Sequence, residues 1–268
     1  RLPIDPVNDY ITVGVASDIH FGSRLHRGEC LVDFINTCYH DYKVRTILHP
    51  GDMVAGMRMY PGQFNEVFSL AMEEQLALAV KGLPKLDGLR YHVIGGNHDE
   101  SFLKNAGADV MAALAKARPD VTNYGFYSAL LDIGSADGEK VKVELHHPAK
   151  AGAYAISYHI QKEIEQIPPG MKPQVLLEGH THQSLQLPDY RGVSGFLCGT
   201  FEEQTLFLKR LHLAPHMGGW IIKFGVTKNG SIKTMETVYV RYFHSRRGPM
   251  LSQGERYDKS IGVSLGSE

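Results

Sequence analysis

Gly95-Gly96-Asn97-His98-Asp99 follows directly on a strand-like run from Leu89 to Ile94. Glycine lets a backbone turn sharply as it leaves a strand. An amide, an imidazole and a carboxylate then stand side by side. Such a trio can ligate a metal, move a proton and orient the group that moves it. Alone it is a weak signal. It gains weight from four other polar clusters, each just after a run that reads as a buried strand. Asp18 and His20 follow Tyr10–Ala16, Asp52 follows Thr46–Leu48, His146 and His147 follow Val141–Leu145, and His180 and His182 follow Val175–Leu177.

Between these runs lie segments with helical spacing. Glu29 to Tyr42 carries Leu31, Phe34, Ile35 and Cys38 on one face. Asn65 to Val80 is rich in helix formers and is stopped by Gly82 and Pro84. Helices are also expected over 102–117 and 153–167. The alternation predicts an α/β fold with partly parallel strands. Beyond residue 128 the pattern changes to a hairpin around Asp137-Gly138. Further strands are expected at 196–198, 220–224 and 231–242. We assign 1–243 to one domain and expect the polar, Gly-rich stretch 244–268 to be a poorly ordered tail. Residues 201–243 either cap the site or complete a sheet.

Composition narrows the class. The chain has 268 residues, 43% of them hydrophobic, enough for a substantial core. Its net charge of -1 provides no global attraction for nucleic acid or an anionic membrane. No apolar stretch is long enough to span a bilayer. The N-terminus, Arg1-Leu2-Pro3-Ile4-Asp5-Pro6, begins without Met, as a trimmed chain would, and does not read as a signal peptide. Three cysteines argue against a disulfide framework. Cys30 and Cys38, eight apart on one helix, would lie about 12 Å apart along its axis. Buried thiols in a reducing compartment, the cytoplasm, are expected.

Ligands at the carboxyl ends of successive strands converge on one rim of an open α/β sheet. Neutral imidazoles, carboxylates and one amide oxygen suit Mn, Fe, Zn, Ni or Co. They are too many for one four-coordinate zinc. Two metals sharing a carboxylate fit the count better.

With these motifs in this order, the chain resembles the calcineurin-like metallophosphoesterase superfamily. The resemblance rests on Asp18-Ile19-His20, Gly51-Asp52, Gly96-Asn97-His98-Asp99, His146-His147-Pro148 and Gly179-His180-Thr181-His182. It covers roughly residues 10–200. It implies a four-layer α/β/β/α sandwich with two mixed sheets and a metal site at the carboxyl ends of the strands. It implies two divalent transition-metal ions, manganese favoured. One would be held by Asp18, His20, Asp52 and His182, the other by Asp52, Asn97, His146 and His180. The superfamily often places the histidine two residues before the motif's end on the metal, so His146 is preferred to His147. A metal-bridging hydroxide would attack phosphorus in line. His98 would act as general acid, with Asp99 fixing its tautomer.

Within the superfamily, Ser17-Asp18-Ile19-His20-Phe21-Gly22-Ser23 and Tyr60-Pro61-Gly62-Gln63 look like the exonuclease small subunits of archaeal family-D DNA polymerases. That family usually has Asp where Ala55 stands, and His-Gly where His147-Pro148 stands. The Arg of Ser/Thr protein phosphatases after Gly-Asp-x-x-Asp is absent, since Ala55-Gly56 occupies the place. The expected activity is hydrolysis of phosphodiester bonds in nucleotides or nucleic acid, by a nuclease or a cyclic-nucleotide phosphodiesterase. The alternatives are a small-molecule phosphomonoesterase or an inactive subunit of a polymerase or repair complex. Arg24, close behind the first cluster, is the candidate for a substrate phosphate contact. His40, His49 and His92 are read as structural or surface residues. His26, His159, His212 and His216 are read as ordinary structural or surface residues, with the site mouth as the alternative. Tyr154 and Tyr158 are read as core packing.

Overall fold

A computed structural model describes residues 6–134, 138–149 and 155–244. Asp137, Tyr154 and the tail from residue 245 lie outside the described residues. Residues leaving β1 (Asp9–Val15), β2 (Thr46–Pro50) and β3 (Arg90–Gly95) emerge at one end of a sheet, because these strands run parallel. This first sheet has the order β11-β10-β1-β2-β3-β4, with β4 at Val121–Phe126, β10 at Gly218–Val226 and β11 at Ile232–Arg241. Strand β10 runs antiparallel to β1, so the chain's last strands complete this sheet.

The second sheet is also mixed, in the order β5-β6-β7-β9-β8. Its strands are β5 (Ser128–Gly134), β6 (Lys140–His146), β7 (Val175–Glu178), β8 (Ser184–Tyr190) and β9 (Val193–Cys198). Strands β6, β7 and β9 are parallel. Their carboxyl ends face those of β1, β2 and β3.

Buried apolar residues divide into three clusters, and these define four layers. Val13, Val15, Leu48, Ile94 and Ile222 of the first sheet pack on Val143, Leu145, Leu177 and Phe196 of the second. On the outer face of the first sheet lie α1 (Gly28–Asn36), α2 (Met72–Gly82), α3 (Asn97–Ala106) and α4 (Val110–Ala117). They supply Leu31, Phe34, Ala79, Phe102 and Leu114 to that core. On the far side, α5 (Tyr158–Gln166) lays Ile160 and Ile164 on Leu176, Val193 and Leu197. The fold is the α/β/β/α sandwich that the resemblance implied. Among the described residues, no helix is long and apolar enough to cross a membrane.

Three expectations are corrected. The helix read from Asn65 begins only at Met72. Residues 66–68 are instead pinned to the first loop, where Arg24 N donates to Glu66 O and Phe68 N to Gly22 O. The helix read through 102–117 is two, broken where Gly107 takes a left-handed backbone and Asp109 caps α4 through Ala112 N. Tyr158 is exposed, not core. All three cysteines are free and buried, and Cys38 sits in a short π-helical turn, Thr37–Asp41, that extends α1.

Trp220, the single tryptophan, sits at the seam between the sheets. Its indole N–H donates to Leu197 O across the seam at 2.9 Å, and its ring meets Phe196 edge-on at 5.4 Å. Trp220→Ala is expected to cost about 3–5 kcal/mol in urea unfolding followed by circular dichroism. Trp220→Phe should recover most of that. A loss under about 1 kcal/mol for the alanine variant would show that the seam does not depend on this ring.

Candidate metal centre

Each strand that ends at the rim passes into a tight turn, and the backbone there is unusual. Asp18, His20, Asp52, His180 and His182 all take left-handed conformations, with φ of 50°, 52°, 57°, 70° and 53°. Side-chain sterics disfavour this region for residues other than glycine. Asp18/His20 and His180/His182 therefore do not continue the extended strands that precede them. Their side chains converge through turns rather than through strand alternation. Neighbouring loops hold those turns: Asp18 N donates to Gly51 O at 3.1 Å, and Ile19 N and His20 N both donate to Asp52 O. Close approach is possible because Gly96 lacks a side chain. A Cβ there would strike the Asp52 carboxylate and the His147 ring.

The donors form two groups joined at Asp52. In the first, His182 Nε2 lies 3.4 Å from Asp18 Oδ1 and 3.0 Å from His20 Nε2. In the second, His147 Nε2 lies 3.3 Å from Asp52 Oδ2 and 3.0 Å from Asn97 Oδ1. Asn97 Oδ1 is also 2.9 Å from His180 Nδ1. Asp52 Oδ2 is 4.0 Å from His20 Nε2, which connects the groups. Bonds of about 2.1 Å set adjacent donors of one ion roughly 3.0–3.4 Å apart. The spacing within each group meets that requirement, and the donor chemistry suits a divalent transition metal. Asp18, His20, Asp52 and His147 are each no more than 1% exposed.

The electrostatics follow from packing carboxylates among imidazoles. Burial works against the charge of Asp52, but His147, His98 and His20 outweigh it and hold its pKa well below the ordinary value. Asp18 is lowered too, its burial overcome by the hydrogen bond and charge of His182. Burial, then the charge of His98, keeps His20 well below 6.5. Burial and His147 bring His180 to about 4. His147 goes the other way, since Asp52 overcomes burial and raises it to about 9. The ionised carboxylates and the neutral rings of His20 and His180 are in the protonation states a metal needs in its ligands, whereas His147 would have to give up its proton to bind one.

Three predicted site residues stand elsewhere than expected. His146 is the last residue of β6 and turns away from the cluster, with Nδ1 3.2 Å from Glu178 Oε2. His147 points the opposite way, as the next residue along a strand must. Its Nδ1 pairs with Pro50 O at 2.8 Å, so Nε2 faces Asp52 and Asn97. It is His147, not the expected His146, that lies among the donors. Asp99 does not contact the His98 ring. Its carboxylate accepts from Gly96 N, Met53 N and Val54 N, tying β3's turn to β2's. Burial and the nearby Asp52 push its pKa to about 7. The carbonyl of Ala55 orients His98 instead, 2.7 Å from Nδ1. Arg24 reaches back over the Phe68 ring and donates to Val67 O, away from the donors.

His98 and the donors open onto a cavity of about 520 Å³. Its other walls hold Tyr60 and Glu202, with Thr205, Phe207, Leu208 and Leu211 from in and around the short helix α6 (Leu206–Arg210). Residues 201–243, whose role the sequence leaves open, supply two strands to the first sheet and part of the cavity wall. Glu202 was not anticipated. It is buried, with Oε2 3.9 Å from His20 Nε2, and burial lifts its pKa to about 7 against the pull of His182. It follows β9, so the rule of polar residues after strands would have found it. His159 borders the cavity, against the ordinary role favoured for it. His26 instead bonds Ile19 O and His216 bonds Ser184, while His49 is buried against Ala16 O.

Residues 11–184 match the family model for calcineurin-like phosphoesterase. Among curated proteins, the DNA polymerase II small subunit of Methanothermobacter thermautotrophicus is 24% identical over 266 residues, covering 84% of this chain and 54% of that protein. The subunits of the same description from Thermoplasma acidophilum and Methanocaldococcus jannaschii are each 25% identical, over 76% and 78% of this chain and 48% and 41% of theirs. The chain spans about half the length of the curated relatives it matches. Among solved structures, zinc-complexed Vps29 from Entamoeba histolytica is 14% identical with a TM-score of 0.43, covering 86% of this chain and 99% of that one. A 5'-nucleotidase precursor from Thermus thermophilus is 13% identical with a TM-score of 0.42, covering 87% of this chain and 54% of that one.

Metal analysis after reconstitution separates the two adjacent histidines. His147→Ala is expected to lose about one equivalent of bound metal relative to the parent, and His146→Ala none. The opposite pattern would return the role to His146.

Proposed function

The chain belongs to the calcineurin-like phosphoesterase family, and on that premise we propose that it hydrolyses phosphodiester bonds of nucleotides or nucleic acid. The observation that carries this reading is the placing of His98. Its backbone N–H donates to Asp52 Oδ1 at 2.9 Å, its ring is held by Ala55 O, and it borders the cavity beside both donor groups. Asp18, His20, Asp52 and His182 would hold one divalent cation; Asp52, Asn97, His147 and His180 would hold a second. Such cations, manganese favoured, supply Lewis acidity toward phosphoryl oxygens and an activated water.

The chain's own residues do the rest. Asp52, common to both groups, fixes their separation and anchors the amide of His98. With the Ala55 carbonyl accepting from Nδ1, the Nε2 of His98 is the nitrogen free to hand a proton to the departing ester oxygen. No side-chain nucleophile is required. A nucleic-acid substrate, and a place as a subunit beside a polymerase, are supported by the description of the archaeal relatives. The complete set of donors favours an active site over an inert subunit.

Asp52→Asn is expected to lower manganese-dependent hydrolysis of bis-p-nitrophenyl phosphate at least about 100-fold. Intact activity would end the two-cation reading. His98→Asn should spare metal binding and slow esters with alkoxide leaving groups most, by about 10²–10⁴-fold. Equal slowing of p-nitrophenolate and alkoxide release would contradict proton donation by His98. A monoester turned over faster than the diester by one preparation would point to a phosphatase.

A further inference from the structure

The family match ends at residue 184, and part of the cavity wall, from Glu202 to Leu213, comes from beyond it. Phe207, 41% exposed, lies parallel to Tyr60, with ring centroids 4.9 Å apart and an interplanar angle of 16°. Both rings are positioned by polar contacts around them. The Tyr60 hydroxyl donates to Glu66 Oε2 at 2.9 Å, and Glu66 Oε1 accepts from Leu206 N at 2.6 Å. One carboxylate therefore fixes both members of the pair. Thr205 caps the turn that carries Phe207 by accepting from Leu208 N. Lys209 and Arg210 do not border the cavity, so the wall near the pair presents flat aromatic and aliphatic surface.

We propose that the Tyr60–Phe207 pair is a nucleobase subsite. The base of a nucleoside esterified at the scissile phosphate stacks on this platform while the phosphate rests beside His98. The proposal rests on the phosphodiesterase reading and deepens it by naming the substrate class, diesters with at least one nucleoside arm. Stacking accepts any base, because every base has a π-face. Little discrimination among bases is expected, and strong discrimination against esters without one.

Two diesters with the same leaving group test it, using the metal-loaded full chain: thymidine 5'-(p-nitrophenyl phosphate) and methyl p-nitrophenyl phosphate. Water adds to phosphorus and p-nitrophenolate departs in both. The ratio of kcat/KM, nucleoside ester over methyl ester, is expected to be about tenfold or more. Phe207→Ala should bring it within about twofold of unity, and Phe207→Trp should keep it high. A parent ratio near one, or a high ratio that survives Phe207→Ala, overturns the subsite. If neither ester is hydrolysed, the phosphodiesterase reading fails by itself, and calorimetric titration decides the subsite. Thymidine 5'-monophosphate binding more tightly than inorganic phosphate, with the advantage lost in Phe207→Ala, supports it; equal affinities overturn it.

Discussion

The Asp52 carboxylate is 1% exposed and stands among imidazoles, with Oδ2 3.3 Å from His147, 3.9 Å from His98 and 4.0 Å from His20. Taking a carboxylate out of water costs several kcal/mol even after relaxation. The His98 amide, which donates to Oδ1, and the charge of His147 offset that cost. The loops leaving β1, β3 and β6 must therefore bring their histidines to this one carboxylate, and the Gly96 backbone must pass close enough to leave them room.

Left-handed turns at five donor positions belong to the same logic. Such a conformation costs a non-glycine residue on the order of 1–2 kcal/mol. It persists where surrounding structure over-determines it. Here the surrounding structure is a set of backbone hydrogen bonds between loops, from Asp18 to Gly51 and from His20 to Asp52. Asp99 adds to it by collecting three amides from two loops.

The donor positions were legible because polar residues followed apolar runs, and parallel strands leave no choice about which end of the sheet those residues occupy. What sequence could not settle was orientation within a motif. His146 and His147 differ by one residue, and one residue along a strand reverses the side chain. Which of them faces the cluster depends on where β6 ends. Asp99 stands away from the His98 ring because α3 starts at Asn97 and not at residue 102, where the helical spacing begins. As the third residue of a helix, its carboxylate folds back on the amide of Gly96. Helix propensity also misled over residues 65–71, where contacts with the first loop override it. Strands β4 and β8 escaped notice, since both are mostly half-buried or exposed and carry no apolar run.

The donors are divided between the sheets. Asp18, His20, Asp52 and Asn97 leave the first; His147, His180 and His182 leave the second. Any cation they share is consequently a rivet through two plies. Its binding energy is also clamping energy between layers that otherwise meet mostly through apolar side chains. Slippage of one ply over the other would pull apart the ligands of any such cation.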